Sequence, residues 1–128
     1  MEKEFISYEQ ALTLKDLGFD ERCIGRYCIV TEWEEPTGEI LLQFIDCELS
    51  EKILVKAPLK SQVFRWFREK YGLYHIIHCA SEKIALFTIT NMINEPSVHT
   101  DRHIETYEEA EDACIDKLIS ICKQQDND

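Results

Sequence analysis

Two pairs of residues have the spacing of metal ligands. Cys23 and Cys28 form C-x4-C, and His99 and His103 form H-x3-H, both within the range zinc sites use. A long gap separates the pairs, and no knuckle turn accompanies them. If Ile24 to Thr31 is a strand, Cys23 and Cys28 face opposite sides of it. The reading expected is burial of the thiols as small apolar side chains, with no metal and no cofactor. A second cluster, His75, His78 and Cys79, would suit a thiol nucleophile if an imidazole reached the sulfur. In a strand, His78 and Cys79 point to opposite faces. His75 and Cys79 share a face but stand four residues apart, too far for contact. No G-x-S-x-G, H-E-x-x-H, G-x-x-x-x-G-K-[ST] or G-x-G-x-x-G occurs in the sequence. The chain is therefore expected not to be an enzyme, with no catalytic residues.

Two further groups can bind rather than react. The segment Lys60 to Tyr71 interleaves bases with aromatics, and Arg65, Trp66, Arg68 and Lys70 could hold RNA phosphates and stack a base. The competing reading is an amphipathic core helix, with Arg65 paired to Glu69 one turn on. The other group is acidic. The chain has 25 Asp and Glu against 14 Lys and Arg, a net charge of -11. Residues 1–50 carry 12 acids and 4 bases (net -8), residues 51–90 carry 3 and 7 (net +4), and residues 91–128 carry 10 and 3 (net -7). The acids gather at Glu32, Glu34, Glu35 and Glu39, and again at Glu105, Glu108, Glu109, Glu111 and Asp112. Such runs are either solvated faces or an anionic surface that steers a basic protein partner. The overall charge argues against a protein that coats nucleic acid, whose affinity comes from neutralising phosphates.

Three helices must position these groups. Ser7-Tyr8-Glu9-Gln10 is a capping box, in which the Ser hydroxyl accepts an orphan backbone N–H and Gln10 reaches back. That helix stops at Gly18, which can take the left-handed conformation, so that Leu14 can meet Phe19. The second follows Pro58 and ends at Gly72, with Val63, Phe64, Phe67 and Tyr71 as its apolar stripe. The third opens on Thr106-Tyr107-Glu108-Glu109 and runs to about Lys123, its acids early and its lysines late, as the helix dipole favours. Between them, Ile24 to Thr31 and Glu39 to Asp46 read as one hairpin, and Leu73 to Cys79 and Ile84 to Met92 as another. Lys52 to Lys56 can be read as a short extra strand, and Asn94 to Glu105 as a polar loop. The order α-β-β-(β)-α-β-β-α implies an α+β fold: one antiparallel sheet of four or five strands packed with three helices.

At 128 residues, 45% of them hydrophobic, the composition is globular and suits a single domain spanning residues 1–128. Met1-Glu2-Lys3-Glu4 is charged, and no apolar core of signal-peptide length follows it. No apolar run approaches the ~20 residues of a membrane span. A cytoplasmic protein with six cysteines as thiols is the expectation.

Three blocks look alike to known sequences when taken together: Ser7-Tyr8-Glu9-Gln10-Ala11-Leu12 through Glu21, Ala57-Pro58 through Phe64-Arg65-Trp66-Phe67-Arg68-Glu69-Lys70-Tyr71-Gly72-Leu73, and Thr106-Tyr107-Glu108-Glu109-Ala110-Glu111 through Ile119. In this order they resemble a family of small proteins found in bacterial genomes and their prophages. The family has no established activity and no catalytic residues to carry over. The resemblance implies a mobile-element setting, where compact acidic proteins often bind host machinery. The specific expectation is an inhibitor of the anti-CRISPR kind, whose partner is a CRISPR effector nuclease or its RNA complex. The alternative is a small RNA-binding module acting through the central helix.

Overall fold

The structure, a computed structural model, describes residues 2–32, 35–44, 52–81, 84–92, 98–104 and 106–126. The chain divides into two compact units, Met1–Lys60 and Ser61–Asp128. Both combine helices with antiparallel strands, so the α+β class is observed.

In the first unit, a short 3-10 turn, Glu2–Glu4, precedes helix α1, Tyr8–Asp16. Local chemistry sets both ends of α1. The Ser7 hydroxyl accepts the Gln10 N–H at 3.2 Å, and the Gln10 side chain accepts the Ser7 N–H at 3.0 Å, the reciprocal pair expected. At the other end Gly18 adopts φ 99°, which lets the Phe19 N–H reach the Leu14 carbonyl and the Gly18 N–H reach that of Lys15. Leu14 and Phe19 are both buried. Burying a side chain of that size contributes about 1.5–3 kcal/mol. Strands β1 (Gly25–Glu32), β2 (Glu35–Phe44) and β3 (Lys52–Ala57) then form a sheet in the order β2-β1-β3, and α1 packs on β3. β1 is central, with Gly25 opposite both Phe44 and Ala57. A Cβ at Gly25 would lie 2.7 Å from the Phe5 ring and 3.0 Å from the Ala57 carbonyl oxygen. Glycine there admits the buried Phe5 ring, which also meets Phe44.

The second unit contains all but the first residue of helix α2, Lys60–Tyr71. It is followed by β4 (Leu73–Ser81), β5 (Ile84–Asn91), β6 (Val98–Ile104) and α3 (Tyr107–Asp126). The strands form a meander in the order β4-β5-β6, and α3 packs on all three. Ala85, Phe87, Ile89 and Asn91 are buried, and the alternate residues of β5 are more open. The sheet thus has one covered face and one that meets solvent.

Two expectations about the strands are corrected. The segment 94–105, expected to be a loop, contains β6, and among the described residues the strands are divided between two sheets of three rather than joined in one. The reason is pairing. β3 returns to β1 instead of extending a common sheet, and β6 gains its ladder from β5. The central strand is first in one unit and second in the other, so the similar openings of α1 and α3 do not mark a structural repeat.

Candidate interaction surfaces

Helix α3 is built from its buried side outward. Ala110, Cys114, Ile115, Leu118 and Cys122 recur at helical spacing and are all buried. Glu108 and Glu109 are exposed in the first turn, with Glu111 and Asp112 half-buried beyond them. The Thr106 hydroxyl accepts the Glu109 N–H at 3.1 Å, and the Thr106 carbonyl accepts that of Ala110 at 3.0 Å. The acids therefore sit at the positive end of the helix dipole, where they stabilise the helix. Their field is felt nearby: desolvation first, then Glu111, Cys79 and Glu108, push the Tyr107 hydroxyl above its ordinary value.

The other acidic group lies at the far end of the β1–β2 ladder. Glu32 pairs with Glu35 across it, past an irregularity between Ile29 and Thr31, and Glu39 is exposed on β2. Glu34 and Glu105 lie outside the described residues. The two acidic groups belong to different units.

On α2 the expected stripe is present. Val63, Phe64 and Phe67 are buried, while Arg65 and Lys70 are exposed and Arg68 is half-buried. Trp66, the ring that base stacking would require, is only 6% exposed. It makes edge contacts with Phe67 and Tyr71, at centroid distances of 5.1 and 5.5 Å, and the Lys70 ammonium stands 4.9 Å from its centroid. This ring is packed as core, with a cation over it, and offers no open platform to a base.

The reactive-looking groups are also built in. The His75 ring stacks on Phe64 with centroids 3.6 Å apart and planes 10° from parallel. Burial, and then the neighbouring Arg68 charge, lower the His75 pKa to about 4, so the imidazole is neutral at pH 7. Sequence patterning shows His75 sharing a face with Cys79 but carries no signal for this ring stack, which joins α2 to β4. Cys79 is exposed, whereas Cys23, Cys28, Cys114 and Cys122 are buried. Desolvation is the main cause that raises the Cys23 thiol to about 11 and the Cys114 thiol to about 12. Cys23 donates to the Glu21 carbonyl at 3.4 Å, as a protonated thiol does. Cys23 and Cys28 lie in the first unit and the backbone of His99 and His103 in the second. Among the described residues, no three His, Cys, Asp or Glu side chains gather as a metal site would require.

No protein-family model matches the chain, and comparison with curated proteins and with solved structures finds no significant match. Among the described residues, no helix is long and apolar enough to cross a membrane.

Proposed function

We propose that the chain is a non-enzymatic acidic interaction protein of phage or prophage type, acting in the cytoplasm on a protein partner with a basic surface. Its specific candidate partner is a nucleic-acid-handling defence enzyme, in particular a CRISPR effector nuclease, whose RNA channel is basic. The observation that carries the reading is the division of α3 into a buried apolar side and an open acidic first turn at Glu108 and Glu109. Glu39 on β2 is exposed as well, on the strand that also carries Glu35. A net charge of -11 speeds encounter with a basic surface and disfavours acidic competitors. The bacterial and prophage resemblance of the three sequence blocks supports the setting.

The test is co-purification of the tagged chain from a bacterial host carrying CRISPR systems. Recovery of a nucleic-acid enzyme, reduced by added salt and by Glu108→Lys with Glu109→Lys, is the expected result. Elution of the chain alone at low salt contradicts the proposal. The RNA-binding reading would need affinity for labelled RNA without protein. The packing of Trp66 favours the protein-partner reading over it.

A further inference from the structure

Sheets end in edge strands, and an open edge invites another strand unless charge, proline or irregularity blunts it. Among the described residues the two sheets have four edges: β2, β3, β4 and β6. Three carry such devices in their sequences. β2 contains Glu35, Pro36 and Glu39, β3 contains Lys52 and Lys56, and β6 contains Asp101 and Arg102. β4 differs. Its nine residues, Leu73-Tyr74-His75-Ile76-Ile77-His78-Cys79-Ala80-Ser81, include no proline, no acid, no lysine and no arginine. One side of β4 is paired with β5 over nearly its whole length, and among the described residues no strand pairs with the other side.

The exposed side chains in the middle of β4, from Tyr74 to His78, also have a symmetric arrangement about Ile76. Tyr74 is 49% and Ile76 54% exposed, and His78 is exposed as well, all on the face opposite buried Leu73. Their partners on β5 are Thr90, Thr88 and Leu86, which continue the open face. We infer that β4 pairs antiparallel with β4 of a second copy of this chain, about a two-fold axis at Ile76, joining two three-stranded sheets into one of six. That register sets Ile76 against Ile76 and each Tyr74 against the other copy's His78. All three residues stay on the solvent face, whereas a slip by one would exchange the faces. An aromatic beside an imidazole and two β-branched side chains in contact are favourable cross-strand pairs. The strand's own neutrality matters most. Each copy bears -11, and β4 is an edge at which two copies meet without placing like charges opposite each other. A strand from an unrelated protein is the competing occupant. From Tyr74 to His78 the alternation of exposure reads the same in both directions, which suits self-pairing, and beyond it buried Leu73 would face exposed Cys79.

Sedimentation over a concentration series should give a species of twice 15.1 kDa for the full chain. Added salt should strengthen it by screening the like charge of the two copies. Ile76→Lys alone and Ile76→Glu alone should each remain monomeric with a native circular dichroism spectrum, and an equal mixture of the two should restore the dimer. In a Cys47→Ser, Cys79→Ser background, Ile76→Cys should form an interchain disulfide on mild oxidation, because directly opposed residues have Cα atoms about 4.5–5.5 Å apart. Tyr74→Cys should not, since its two copies would stand about 13 Å apart, four residues along the ladder. A wild-type chain that stays monomeric throughout overturns the inference. So does a dimer that Ile76→Lys leaves intact, or one in which Tyr74→Cys cross-links and Ile76→Cys does not.

Discussion

His75 shows how a residue that looks chemical becomes structural. Its imidazole stacks on Phe64 beside Arg68, and both burial and that cation disfavour a second proton. Its pKa in the folded chain, about 4, lies below the ordinary 6.5. The unfolded chain therefore binds more protons between these values. The stability that neutral His75 contributes is fully present above about pH 6.5 and is lost as the pH falls toward 4. An NMR titration of the His75 ring should find its midpoint near 4, and Phe64→Ala should move it back toward 6.5. That substitution should also destabilise the fold by about 3–5 kcal/mol, read in urea. The cysteines divide by burial in the same way. In a Cys47→Ser background, a thiol reagent should label Cys79 in the native protein, and Cys79→Ser should abolish that labelling. Cys23, Cys28, Cys114 and Cys122 should react only on unfolding, because burial holds them from solvent. Labelling of Cys114 at the native rate of Cys79 would contradict the packing of α3.

At the scale of elements, α1 depends on two local devices that can be removed separately. Ser7→Ala loses the side-chain acceptor for the Gln10 N–H and should cost about 1 kcal/mol. Gly18→Ala forces a Cβ into the left-handed region at φ 99° and should cost about 1–2 kcal/mol. Urea unfolding measures both, and a neutral Ser7→Ala would show that the cap contributes little. Caps and stripes of this kind involve residues three or four apart, which is why the three helices were legible in the sequence. Strand partners are not encoded at that range. Val-His-Thr-Asp-Arg-His-Ile at 98–104 has no alternating apolar run, and only its ladder with β5 makes it β6. Nor does Lys52–Ala57 announce that it returns to β1. Trp66 was ambiguous for a related reason: it flanks the stripe of Val63, Phe64 and Phe67, where tertiary packing decides whether a ring is core or surface. The open edge of β4 became visible only once the strand order was known.

For the whole molecule, charge is the property that the sequence states most directly and that folding then arranges. The net of -11 divides into acidic ends and a basic middle. In the second unit, Glu108 and Glu109 are exposed in the first turn of α3, while Glu111 and Asp112 are half-buried. Salt separates the two associations proposed for the chain, because screening weakens an acid-to-base contact and strengthens pairing of two like-charged copies. The most direct measurement is the affinity of the co-purified partner for the wild-type chain and for Glu108→Lys with Glu109→Lys, across a salt series. The acidic-surface reading predicts tight binding by wild type at low salt, loss of affinity as salt rises, and a shallower salt dependence with at least tenfold weaker binding for the variant, about 1.4 kcal/mol. Equal affinities and equal salt slopes for the two chains would contradict it.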